Sequence, residues 1–141
     1  MRKELAVAQI DITAPADKVW HVLTDNTLLG EVMFGSEVVT DWGVGSPIVY
    51  RGEWDGKPFE DKGEILELDK PRRLRLTHFS PLGGDADVPE NYHEVQYDLA
   101  ERGDMTHVTL TQDNNADAAA AEHSTPNWQA MLESLKKVSE R

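Results

Sequence analysis

Four polar side chains have residue types that could do chemistry and strand parity that turns them inward: Tyr50, Asp61, His78 and His93. An imidazole changes charge near physiological pH, so His78 or His93 acting with Asp61 could move a proton on an enolisable ligand. The same groups suit plainer roles. Buried polar groups are ordinarily hydrogen-bonded, and apolar pockets use a few placed polar groups to orient a ligand. The other histidines point elsewhere: His21 off its helix stripe, His107 outward from its strand, and His123 into an Ala-rich stretch. Nucleophilic catalysis has no foothold, because the chain has no cysteine, no G-x-S-x-G elbow and no serine with an evident His–Asp partner. Two histidines without a third ligand at defined spacing, and without H-E-x-x-H, do not make a metal site. Gly43-Val44-Gly45 is followed by Pro47 and a strand, so it is not a nucleotide fingerprint. No metal, no cofactor and no catalytic residue is assigned.

The elements that carry these groups are mostly strands. Ile48 to Trp54, Asp55-Gly56 and Lys57 to Leu68 form a hairpin, since Asp-Gly suits a type I′ turn. If Trp54 opposes Lys57, then Gly52 opposes Phe59, Tyr50 opposes Asp61 and Ile48 opposes Gly63. Opposed residues share a face, so Ile48, Tyr50, Trp54, Phe59, Asp61 and Ile65 line one surface. Leu66 and Leu68 break that parity and predict a bulge near Ile65. Arg73 to His78 alternates with Leu74, Leu76 and His78 inward. A long loop over Ser80 to Asn91 follows. Tyr92 to Glu101 and Met105 to Gln112 make a last hairpin across Arg102-Gly103, with His93, Val95, Tyr97, Leu99, Thr106, Val108, Leu110 and Gln112 inward. At the start, Glu4 to Ile12 alternates, with Ala6, Ala8, Ile10 and Ile12 on one face. Pro15 opens a helix with an Ala16, Val19, Trp20, Leu23 stripe. Asp25 re-caps the chain into a short helix closed by Gly30. Val32-Met33-Phe34 reads as an apolar loop patch, and Glu37 to Thr40 as a short strand.

The C-terminal stretch gives this sheet something to hold. Thr125-Pro126 reads as a helix start, a hydroxyl cap followed by Pro at the first helical position. Trp128, Met131, Leu132, Leu135 and Val138 then repeat as one apolar face, to be buried against the sheet. Asn114 to His123 reads as partly helical. At 141 residues the prior is one domain spanning 1–141. A chain of this size buries roughly 68–70% of its unfolded surface, enough for a core without cross-links. The formal net charge of −12 argues against nucleic acid and anionic membranes as partners. No apolar run approaches the roughly 18 residues of a membrane span. Met1-Arg2-Lys3-Glu4 does not begin a signal peptide, and with no cysteine the expectation is a cytoplasmic protein.

The order strand, two short helices, antiparallel strands, long C-terminal helix resembles the START-like (SRPBCC) superfamily, and within it the family of activator homologues of the heat-shock-protein ATPase. The likeness rests on Ala14-Pro15-Ala16-Asp17-Lys18-Val19-Trp20, Leu23-Thr24-Asp25, Gly63-Glu64-Ile65-Leu66-Glu67-Leu68, Pro71-Arg72-Arg73-Leu74, and Asn127-Trp128 with Met131-Leu132 and Leu135. Many members have Gly where Asn127 stands. The resemblance implies an α+β helix-grip fold, a curved antiparallel sheet wrapped around the long helix, with a cavity between them. The cavity is expected to hold a small apolar, aromatic or amphipathic molecule, with Tyr50, Phe59, Asp61, Leu76, His78, His93, Val95, Tyr97, Leu110 and Trp128 as its ligand-binding residues. The eukaryotic relative stimulates a chaperone ATPase and carries a further N-terminal domain, for which this chain has no stretch. A chaperone partner is therefore the alternative to a small-molecule one, and a cyclase-like enzyme comes third.

Overall fold

The structure is a computed structural model that describes residues 3–81 and 84–141, with Trp54 described by its backbone alone. Met1, Arg2, Leu82, Gly83 and the inward face assigned to the Trp54 side chain lie outside the described residues. The elements run β1 (Glu4–Ile12), α1 (Ala16–Leu23), α2 (Asn26–Val32), β2 (Glu37–Val39), β3 (Pro47–Trp54), β4 (Lys57–Asp69), β5 (Arg73–His78), β6 (His93–Arg102), β7 (Met105–Asn115) and α3 (Ala118–Ser139). All strand pairs are antiparallel in a seven-stranded sheet ordered β1-β7-β6-β5-β4-β3-β2. The helix-grip reading holds: one face of this sheet closes on α3.

The β3–β4 hairpin has the register that its turn dictates, with Trp54 opposite Lys57, Gly52 opposite Phe59, Tyr50 opposite Asp61 and Ile48 opposite Gly63. The expected irregularity on β4 is present as a register shift between Ile65 and Glu67. The β6–β7 turn is Gly103-Asp104, because Arg102 pairs with Met105, and β7 continues to Asn115. Outward positions are laced by cross-strand ion pairs: Arg75 between Glu67 and Glu94, and Arg73 with Asp98. Inward positions form the core. Ile48, Leu74, Val95, Val108 and Leu110 of the sheet pack with Met131, Leu132 and Leu135 of α3 and with Val19, Leu23, Leu29 and Val32 of α1 and α2.

The long helix starts earlier than the sequence suggests. Asp117, not Thr125, caps α3 by accepting from Ala120 N at 2.8 Å, and Pro126 lies inside a 22-residue helix. Proline removes one backbone hydrogen bond, the one that would reach Glu122. The Thr125 hydroxyl instead donates back to Ala121 O at 2.9 Å, as a helical Thr does. Tertiary packing of the apolar stripe outweighs the local stop signal. That stripe also begins less deeply than expected, since Trp128 is only half-buried. α3 lies along the outer edge of β1, where Gln129 Nε2 donates to Gln9 O and Lys136 Nζ to Asp11 O. These side chains occupy carbonyls that an open sheet edge would offer to another strand.

The short helices are tied down from a distance. The N-terminus of α1 has its Ala16 N–H taken by Glu101 Oε1 at 2.8 Å, and Thr106 Oγ1 donates to Ala14 O at 2.7 Å. A carboxylate at a helix N-terminus is favoured by the free N–H groups and the dipole. Asp25 caps α2 through Leu28 N at 3.0 Å. Gly30 does not close that helix, as the sequence suggested. It sits within α2, where a Cβ would lie 2.5 Å from Ser36 O. The helix ends in a Schellman arrangement around Phe34 at φ +60°, with Phe34 N–H returning to Glu31 O at 3.2 Å and Gly35 N–H to Gly30 O at 2.9 Å.

Two tyrosines, Tyr50 and Tyr97, are buried on the inward face of the sheet. Burial, then the neighbouring Tyr97 and Asp61, push the Tyr50 hydroxyl well above its usual pKa, and burial alone does the same to Tyr97. A phenol whose folded-state pKa is raised contributes stability in full below the unfolded value of about 10, and loses it as pH climbs toward the folded value. Phenolate absorbance from Tyr50 and Tyr97 should therefore appear together with the loss of near-ultraviolet circular dichroism above about pH 10. Ionisation of both within a native protein would contradict their burial.

Candidate functional site

A cavity of about 350 Å³ opens between the N-terminal half of α3 and the β3–β5 side of the sheet. Its apolar wall is Met33, Phe34, Tyr50, Phe59, Trp128 and Met131, and its polar groups come from Ser36, Asp61, His78, Gln112, Ser124 and Asn127. Phe34 stands at the mouth, 71% exposed and held at φ +60° just past α2. Deeper lie the His78 and Asp61 side chains, 14% and 18% exposed, and Gln112 at 5%. This is the usual composition of a small-molecule site, and the volume is at the small end of the roughly 300–1,000 Å³ range.

His78 is the hub. Its Nε2 lies 3.2 Å from Asp61 Oδ2, and since a carboxylate accepts, Nε2 donates. Its ring meets Tyr50 and Trp128 edge-on, each with centroids 5.9 Å apart. Such edge-to-face contacts orient an imidazole beyond what burial alone does. Chemically, an imidazole fixed by a carboxylate can exchange a proton with a bound molecule. The serine hydroxyls on the wall are committed elsewhere: Ser36 Oγ donates to Met33 O at 2.8 Å and Ser124 Oγ to Asn115 Oδ1 at 3.2 Å. Neither is paired with a histidine as an activated nucleophile would be. Among the described residues, no group of three or more His, Asp or Glu side chains could hold a metal ion.

The geometry that brings His78 to Asp61 depends on Gly63. A Cβ there would lie 1.7 Å from Thr77 O, so the β5 backbone runs directly against this glycine. Regular pairing gives way around it. Lys62 and Phe79 form an isolated bridge, and Glu64 N donates to the Thr77 hydroxyl at 2.9 Å. Glycine in a strand commonly marks such a close approach of another backbone.

Of the ten residues marked in the sequence, Tyr50, Phe59, Asp61, His78 and Trp128 line the cavity. Leu76, Val95, Tyr97 and Leu110 do not line it. They are packed in the core, 3%, 0%, 5% and 0% exposed, below a floor that parity alone could not locate. His93 sits directly opposite His78 on β6, yet it does not line the cavity either. Its Nδ1 donates to Asp113 O at 2.7 Å, a bond to the adjacent strand's backbone. Met33, Phe34, Ser36, Gln112, Ser124, Asn127 and Met131 complete the wall without having been marked as site residues. Gln112 had the one available signal, a polar residue with inward parity on a strand. A second hollow, of about 510 Å³, lies on the outer face of β4 and β5. Its polar groups already satisfy one another: Lys62 pairs with Asp87, and Tyr92 Oη donates to Asp87 Oδ1 at 2.6 Å.

A curved sheet gripping a long C-terminal helix over a small cavity defines a START-like, helix-grip protein. The chain belongs to the family described as activator of Hsp90 ATPase homolog 1-like proteins, whose model matches residues 13–140. Among solved structures it is similar to protein ChR145 from Cytophaga hutchinsonii, with 47% identity, 97% of this chain and 94% of that one covered, and a TM-score of 0.82. The Aha1 dimer from Colwellia psychrerythraea matches at 21% identity, 97% and 96% coverage and a TM-score of 0.76. CalU16 from Micromonospora echinospora matches at 21%, 99% and 87% coverage and 0.73. The last two share the fold. No curated protein matches the chain. Among the described residues no helix is long and apolar enough to cross a membrane.

Proposed function

We propose that the protein binds a small aromatic or amphipathic molecule in the cavity between α3 and the sheet. The observation that carries this reading is the cavity itself, about 350 Å³ with aromatic walls and a few buried polar groups deep inside. A family whose members commonly bind ligands supports it. Regulation of a chaperone ATPase, the activity in the family's description, is the alternative.

Nile red, a neutral dye whose emission reports an apolar environment, tests the reading. One dye molecule per native chain is expected, displaced by 2-naphthol. Ser124→Trp should place an indole in the cavity at the loss of one hydrogen bond, and reduce dye affinity by about tenfold or more while the unfolding midpoint stays near that of the native protein. Dye uptake that ignores Ser124→Trp, or no uptake at all, contradicts the reading.

A further inference from the structure

Among the described residues only Asp61 Oδ1, Gln112 Oε1 and Ser139 Oγ are buried side-chain polar atoms with no hydrogen-bond partner. Two of those belong to side chains that line the cavity beneath α3. Both are acceptors, and both sit on rigid strands. An unsatisfied buried acceptor carries a real desolvation cost, and native structures rarely leave it unmet without a reason. The cost disappears if a bound molecule brings an O–H or N–H to that place.

Among the described residues no lysine or arginine lines the cavity, and its carboxylic acid, Asp61, already takes a hydrogen bond from His78 through Oδ2. The chain as a whole has a formal net charge of −12. A ligand carboxylate, sulfate or phosphate would therefore enter beside the Asp61 carboxylate, with the His78 imidazole already engaged by that acid and, among the described residues, no lysine or arginine to receive it, which is unfavourable away from water. Gln112 can present either its oxygen or its nitrogen by turning its amide. Asp61 as a carboxylate can only accept, so the acid sets the requirement and the amide can follow it.

Resting on the proposed binding role, we infer that the ligand is an uncharged aromatic molecule carrying a hydrogen-bond donor, of the phenol or aryl-amine type, with its donor on Asp61 Oδ1 or Gln112 Oε1. The ring lies among Tyr50, Phe59, Trp128 and Met131. Fatty acids and other carboxylates are expected to bind this site more weakly than neutral donors.

Three probes of one ring system test this: 2-naphthol, its methyl ether 2-methoxynaphthalene, and 2-naphthoate, each measured by calorimetry or dye displacement on the native protein. The naphthol should bind about tenfold more tightly than the ether, the effect of one buried acceptor left unmet, and the naphthoate should be weakest. In Gln112→Leu or Asp61→Leu, whichever acceptor holds the hydroxyl, the preference for naphthol over ether should shrink to within about threefold. Equal affinity for naphthol and ether, or tightest binding of naphthoate, overturns the inference and leaves the binding role standing. A preference that survives undiminished in both variants also overturns it, because the donor is then read elsewhere. If none of the three probes binds, the binding role falls with it.

Discussion

Gly63→Ala is expected to destabilise the protein by more than about 4 kcal/mol, an effect found only for a short list of severe mechanisms. The mechanism here is a backbone collision. The added methyl carbon would be 1.7 Å from Thr77 O and 2.6 Å from Thr77 C, and backbone atoms cannot swing aside as a flexible side chain can. Relief requires β4 and β5 to part, which costs the Lys62–Phe79 bridge on one side and strains the Ile65–Leu76 pairing on the other. A domain has only about 5–15 kcal/mol of total stability, so most of it is at stake. Urea denaturation followed by circular dichroism gives the answer. An unchanged midpoint would mean that the strands do not approach at Gly63. The functional consequence follows from position, since Asp61 and His78 flank this contact and their 3.2 Å hydrogen bond depends on it.

Leu135→Ala is the second large effect, about 2–5 kcal/mol, the range for truncating a buried leucine. Leu135 is 0% exposed at the centre of the face by which α3 meets the sheet. Its loss removes apolar transfer energy and leaves a void that the flanking Met131 and Leu132 can only partly fill. With a typical urea slope of about 1–3 kcal/mol per molar, the midpoint should fall by about 1 M or more. A wild-type midpoint would mean that the helix does not depend on this face.

The sheet was the legible part of this chain because side-chain alternation and a two-residue turn leave little freedom. Asp55-Gly56 alone specifies every pairing from Trp54–Lys57 to Ile48–Gly63. The C-terminal helix was legible in its packing face and not in its start. Thr125-Pro126 has the local chemistry of a helix N-terminus, and only the global fit of the stripe overrides it. The end of α2 was misplaced at Gly30 for a similar reason. Glycine suits a helix end, but this one is required inside the helix by the approach of Ser36 O, a contact that sequence does not display.

Parity also placed the site's polar groups on the correct face, but a face is not a cavity. His78 and His93 have the same parity and are register partners, yet one turns to Asp61 beside the void and the other to the Asp113 carbonyl. Where the helix leaves the sheet decides which inward residues line space and which fill the core. That is why Tyr50 and Asp61 are at the wall while Val95 and Leu110 are beneath it. Asn127 faces the same space from α3.

The central claim is that this cavity, and no other surface, receives a small aromatic molecule. Nuclear magnetic resonance titration with 2-naphthol tests it most directly, because each wall residue reports separately. The account predicts one saturable process in which the Trp128 indole N–H, the Gln112 side-chain amide, the His78 ring and the Met131 methyl shift together. Shifts confined to the outer face, around Thr77 and Tyr92, or none up to the solubility limit of the probe, would contradict it.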